Sequence, residues 1–227
     1  VNLELEKVIE LPDFSDCSFA SREPDGDWIA VAHGGGPARG FSPLMPAWGA
    51  ALSLDEIGLA VSHIRTFCTD GRWARGELNL PRALVTGKAF PEDEAVVSVT
   101  ARDGNVISQF IYEKRFGAAN QFEVIVPIAS VDAATSGRST GVGDLALEYK
   151  RVLAHSLARG NIMSATAEVK LPTGSRDKGL GSGTAVFEPF LTFGQILPRE
   201  AFIQAQVGVE IPFESGYDKE AFWRVAV

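Results

Sequence analysis

The strongest constraint in this sequence is a strict alternation of apolar and polar side chains. Over 144–153, Leu145, Leu147, Tyr149 and Leu153 share one parity while Asp144, Ala146, Glu148 and Lys150 share the other. Over 163–171, Met163, Ala165, Ala167, Val169 and Leu171 oppose Ser164, Thr166, Glu168 and Lys170. Over 203–211, Ile203, Ala205, Val207, Val209 and Ile211 oppose Gln204, Gln206, Gly208 and Glu210. Successive side chains of a strand point to opposite faces, so each segment reads as a strand with one oily face and one wet face.

Weaker versions occupy about 95–101, 106–116, 121–131, 184–193 and 221–227, which gives about eight strands. Several approach the ~9–11 residues with which a tilted barrel strand crosses a bilayer. From residue 117 onward the connections alternate between short (117–120, 154–160, 194–200) and long (132–142, 172–183, 212–220), as in outer-membrane barrels with tight turns on one side and long loops on the other. A soluble β-sandwich is the alternative, because alternation alone requires only that one face be buried. Acidic and basic residues on the inner face of successive strands favour a wet lumen.

Residues 1–70 follow another period. Asp25 to His33 carries Trp28, Ile29 and Ala32 at helical spacing and stops at Gly34-Gly35-Gly36-Pro37. Pro43 and Pro46 hold 40–48 extended. Ser53-Leu54-Asp55-Glu56 is a capping box, from which Leu54, Ile57, Val61 and Ile64 continue as one stripe, so the spacing predicts a helix over 54–67. Residues 71–94, with Arg75 to Glu94 neither helical nor alternating, are expected to be an ordered linker.

A net charge of −8 excludes a nucleic-acid partner, which needs clustered Lys and Arg. No apolar stretch is long enough for a membrane-spanning helix, so any membrane contact falls to strands. Cys17 and Cys68 are the only cysteines and lack the spacing of a zinc or redox pair. A disulfide between them is expected if the chain folds in an oxidising periplasm; two reduced, buried thiols in a cytosolic protein are the other reading.

The run Gly40 to Cys68, GFSPLMPAWGAALSLDEIGLAVSHIRTFC, resembles the C-terminal part of a class I c-type cytochrome domain, the likeness covering residues of about 10–68. It has a Met-Pro-Ala-aromatic loop and then a capped terminal helix ending in an Ile-Arg-aromatic segment. The resemblance implies haem c as cofactor, Met45 as the axial ligand to its iron, and a periplasmic redox partner. The family's Cys-x-x-Cys-His attachment site is absent here, and is expected upstream of Val1 if the chain is an excerpt. The terminal-helix stripe is expected to face the Met45 pocket near Trp28 and Trp48. His33, at the end of the short helix, and His63, off the stripe, are the remaining candidate ligands of this half; His155 falls in a predicted short turn.

A second resemblance covers about 140–212, widened over the strands to about 95–227. Gly141-Val-Gly-Asp144, Leu171-Pro-Thr-Gly174, and Gly179-Leu-Gly-Ser-Gly183 followed by Val186-Phe-Glu-Pro189 resemble an outer-membrane barrel family associated with phenol meta-pathway degradation. The Gly179–Gly183 loop lacks the Lys-Ser/Thr and the following helix of a phosphate-binding loop.

The expected fold is therefore α + β in two parts: an all-α cytochrome c-like segment (1–70), the linker (71–94), and an antiparallel meander of amphipathic strands (95–227) from an incomplete transmembrane β-barrel. The expected function is electron transfer by a periplasmic haem domain anchored in outer-membrane lipid. The rival is an outer-membrane pore or transporter for small hydrophobic compounds, with the cytochrome-like half structural only. No nucleophile–base pair stands at catalytic spacing, so an enzyme is not expected.

Overall fold

The computed structural model describes residues 12–133 and 137–227, and the chain divides into two compact units, Val1–Asn79 and Leu80–Val227. Residues 1–11 of the expected helical half and 134–136 of the expected 132–142 loop lie outside the described residues.

In the first unit, α1 (Cys17–Ala20) is capped by the Asp16 carboxylate, which accepts from the Ser18 N–H. The second helix, α2 (Asp25–Gly34), begins with Asp25 and Asp27 in its first turn, where negative charge meets the positive end of the helix dipole. The capping box forms at α3 (Leu54–Arg65): the Glu56 N–H donates to Ser53 Oγ at 3.3 Å, and the Ser53 N–H donates to the Glu56 carboxylate at 2.9 Å. The helix stops at Arg65 rather than 67, because Thr66 turns its N–H onto His63 and Ile64 as the C-cap. Ile57 and Val61 are buried, whereas Leu54 is 59% exposed. In the first turn, beside exposed Ser53, Asp55 and Glu56, Leu54 drops out of the packed stripe. Gly58 of α3 lies against Ile29 of α2. Cys17 and Cys68 are joined by a disulfide with an S–S distance of 2.05 Å and a Cα–Cα distance of 5.1 Å.

The second unit is an antiparallel sheet curled into a half-barrel. Its described strands are β1 (Glu94–Arg102), β2 (Asn105–Phe116), β3 (Asn120–Ala133), β4 (Gly137–Val142), β5 (Leu145–Ser156), β6 (Asn161–Leu171), β7 (Val186–Ile196), β8 (Phe202–Pro212) and β9 (Glu220–Ala226). The order is β1-β2-β3-β5-β6-β7-β8-β9, with β4 paired to the far end of β3. Among the described residues nine strands stand where eight were expected. The difference lies in the expected 132–142 loop, where Arg138, Ser139 and Thr140 pair with Asp132, Val131 and Ser130. Ladder hydrogen bonds use backbone groups only, so a Gly/Ser/Thr-rich stretch forms them without an apolar signature. His155 lies in β5, not in a turn. Asp103 and Gly104, both at positive φ, make the two-residue turn between β1 and β2, the chemistry that type I′ hairpins favour.

The division between the two units falls inside the expected linker, residues 71–94. Its last part, residues 80–93, belongs to the strand unit and lies on the concave face of the sheet, with Leu80, Thr86, Ala89, Phe90, Pro91 and Glu92 buried. Its apolar residues are too scattered to show a period, yet Leu80, Ala89 and Phe90 are buried, while Leu84 and Val85 are exposed. Among the described residues no helix is long and apolar enough to cross a membrane.

Candidate functional site: the concave face of the sheet

The parity seen in the sequence decides which side chains line the concave face. Along β6 the buried residues are Ile162, Ser164, Thr166 and Glu168; along β7 they are Val186, Glu188, Phe190, Thr192 and Gly194. The other parity looks outward and stays uncovered: Val97, Phe110, Tyr112, Phe122, Leu147, Leu191, Val207 and Trp223 are all exposed, Trp223 by 77%. Polar inside and apolar outside is the reverse of a water-soluble sheet, and it matches the lipid-facing and lumen-facing parities of a membrane barrel.

The register then assembles a feature that no single strand reveals. Glu94 stands opposite Glu113, Glu113 opposite Glu123, Glu123 opposite Glu148, Glu148 opposite Glu168, and Glu168 opposite Glu188. The pairs Phe187↔Ile211 and Phe190↔Gly208 bring Glu210 level with Glu188, and Glu210 pairs with Glu220. Eight of the nine described strands thus put a glutamate in one row. Like charges directly opposite each other destabilise a sheet unless they are compensated. Compensation comes from the same face: Lys150 lies 3.9 Å from Glu148, Lys170 lies 3.4 Å from Glu168 and is ion-paired with Glu188, and Arg224 stands 4.0 Å from Glu188.

Residues 80–93 complete the arrangement. Arg82 reaches Glu113 at 3.0 Å, Glu94 at 3.1 Å and Glu92 at 3.4 Å. Lys88 pairs with Glu92 at 2.6 Å, and the Glu92 N–H donates to the Gln121 side chain at 2.7 Å. Gln204 donates to the Pro81 carbonyl at 2.6 Å, and Thr86 hydrogen-bonds Gln204 at 3.4 Å. Leu80 seats over Gly194, where an added Cβ would come within 2.9 Å of Leu80 Cδ1. Glu92, Glu94 and Glu113 bring their carboxylates close enough for a cation, but Arg82 already sits among them.

At the long-loop end, the three glycine motifs of the sequence converge on Asp144. Its carboxylate accepts from the Gly174 N–H at 2.9 Å and from the Ser182 N–H and hydroxyl, each at 2.7 Å. Thr173 receives the Leu145 N–H at 3.0 Å and donates to the Gly143 carbonyl at 2.9 Å. A Cβ on Gly181 would approach Asp144 Oδ1 to 2.4 Å, so only glycine lets the loop close on the carboxylate. The motifs therefore clasp the 172–185 loop to the start of β5.

In the first unit, Met45 lies in a loop whose carbonyl accepts from the Gly36 N–H at 3.0 Å. Met45 is 37% exposed, and Phe41, Leu44 and Trp48 are exposed beside it in sequence. His33 closes α2, with its imidazole over Gly49; His63 is exposed and meets the Phe67 ring edge-on. Sequence reasoning passed over Arg65, the hub of this unit. It donates to Asp25 at 2.7 Å, to the Glu23 carbonyl at 2.7 Å and to the Ala20 carbonyl, and its guanidinium stacks 3.8 Å from the Trp28 ring centre. Partial burial pushes the Asp25 carboxyl up. The Arg65 hydrogen bond and the charges of Arg75 and Arg65 outweigh it, so Asp25 is held below the ordinary carboxylate range.

The comparison with known families completes the description of the strand unit. The family described as "Putative MetA-pathway of phenol degradation" matches residues 91–227, more than half of the chain. The chain belongs to this family. No curated protein matches it.

Proposed function

We propose that the strand unit is part of an outer-membrane β-barrel that admits small, weakly polar organic compounds, phenols among them. The observation that carries this reading is the inverted polarity of the half-barrel: apolar rows face outward on consecutive strands while glutamates, glutamines and Lys150 are buried on the concave face. That distribution is stable in lipid and costly in water. The family's printed association with phenol degradation supplies the substrate class. In this reading residues 80–93 narrow the passage by lying on its polar wall. The test is solute flux. Proteoliposomes carrying the full-length protein should take up phenol faster than empty liposomes, and a protein that fractionates with the soluble phase, or leaves uptake unchanged, contradicts the reading.

A second reading, electron transfer through a periplasmic haem domain and a periplasmic redox partner, rests on Met45. A half-exposed thioether in a loop with exposed Phe41, Leu44 and Trp48 suits a haem face, and it would serve as the axial ligand. Covalent haem does not fit the residues of this chain, because attachment consumes two thiols beside a histidine and Cys17 and Cys68 are bonded to each other. A haemochrome spectrum from the full-length protein would support this reading, and its absence would remove it.

A further inference from the structure

The glutamate row is more than a lining. We infer that it makes the concave face a cation-selective path, on which hydrated inorganic cations are concentrated and pass in preference to anions; this rests on the pore reading above. Rings of acidic side chains are the general device of cation-selective pores, because each carboxylate lowers the energy of a passing cation and raises that of an anion. Here the row runs in register through β1, β2, β3, β5, β6, β7, β8 and β9, and strand tilt would wind it along the barrel axis. Its eight carboxylates, with Glu92, outnumber the five cations that the structure pairs with them: Arg82, Lys88, Lys150, Lys170 and Arg224.

Independent support comes from buried oxygens that the protein itself leaves unused. Thr166 Oγ1 stands in the row next to Glu168 on β6, and Ser164 Oγ and Thr192 Oγ1 face each other in the row after that. All three residues are more than nine-tenths buried, at 4%, 0% and 1% exposure. Their hydroxyls have no hydrogen-bond partner among the described residues. A buried hydroxyl without a partner costs about 1–3 kcal/mol, so these three call for a partner that the described residues do not supply. Neutral hydroxyls and carboxylates together are the ligand set of hard, partly hydrated cations. Rows of a strand pair are spaced about 6.6 Å apart, so the glutamates and hydroxyls form successive steps along the barrel axis rather than one closed cage.

The test is the reversal potential of the full-length protein in a planar bilayer under a KCl gradient. Potassium should permeate several-fold better than chloride, and E148Q/E168Q/E188Q should bring the ratio close to one. Because those three carboxylates are buried and the triple variant can misfold, E210Q/E220Q, at the more open end of the row, provides a second variant and should lower the ratio in part. Chloride preference, or a ratio unmoved by E210Q/E220Q, overturns the inference. Manganese binding by electron paramagnetic resonance in detergent separates this inference from the pore reading. A protein that conducts without preferring potassium upholds the pore and overturns the inference; one that does not conduct yet loses Mn2+ binding in E210Q/E220Q overturns the pore and the path together, and leaves the row only a cation-binding site; one that neither conducts nor binds overturns both.

Discussion

In residues 12–79 the helices bury apolar residues and expose charged ones: Ile57 and Val61 of α3 pack inside and charged residues cap and cross-link the surface, while Phe41, Leu44 and Trp48 of the Met45 loop stay exposed. In residues 80–227 the rule is turned around, with Glu113, Glu123, Glu148, Glu168 and Glu188 buried and Phe110, Val207 and Trp223 exposed. The same physics produces both, since apolar surface leaves water in each case and only its destination differs. The first unit hides part of it against its own helices. The second presents it outward, where in the proposed barrel lipid takes the place of a core.

The largest effect that would sharpen this contrast falls on the first unit. Its disulfide spans 51 residues of sequence, and closing a loop of that length stabilises by about 4 kcal/mol in the chain-entropy account. Reduction should therefore unfold the helical unit, read as loss of helical circular dichroism, while the strand signal persists. Loss of both together would show that the two units do not fold separately.

The next effect falls on the strand unit. Val207→Arg places a charge on the outward parity of β8 and should destabilise the protein in lipid by about 3 kcal/mol, measured by reversible unfolding in bilayers. A cost within about 0.5 kcal/mol, ordinary for a water-facing surface, would break the comparison. Asp144→Ala removes three hydrogen bonds to the long loop and should cost about 2 kcal/mol, with faster proteolysis confined to 172–185.

The smallest effect is the pH response of the first unit. Because the Asp25 pKa is depressed by folding, its contribution is present above the unfolded value of about 4 and is lost as pH falls through the lower folded value. The melting temperature of the helical unit should hold steady above about pH 5 and decline below about pH 4. Asp25→Asn should flatten that decline while costing of order 1 kcal/mol at neutral pH.

Much of this was legible in the residues, and the gaps have physical causes. Ser53 and Glu56 announced α3 because a cap is local chemistry, and the parity of 144–153, 163–171 and 203–211 announced strands because the period belongs to the backbone. The contacts of 80–93 are not legible in the residues, because its partners, among them Gln204, Gln121 and Gly194, lie far along the chain. The glutamate row was hidden for the same reason. Each glutamate was visible as an inward residue, but only register places Glu123 beside Glu148 and Glu168 beside Glu188. The role of Arg65 was likewise invisible, since it depends on carbonyls 42 and 45 residues away.

The central claim, that outward rows meet lipid while inward rows are enclosed, is tested most directly by spin labels placed singly from Ile203 to Ile211 in the bilayer-reconstituted protein, with the native disulfide left intact. Collision rates with oxygen, which partitions into lipid, should peak at 205, 207 and 209 and fall at 204 and 206, while a water-soluble nickel complex should reach none of the outward sites. Nickel access at 205, 207 and 209, or the loss of any period of two, would contradict the account.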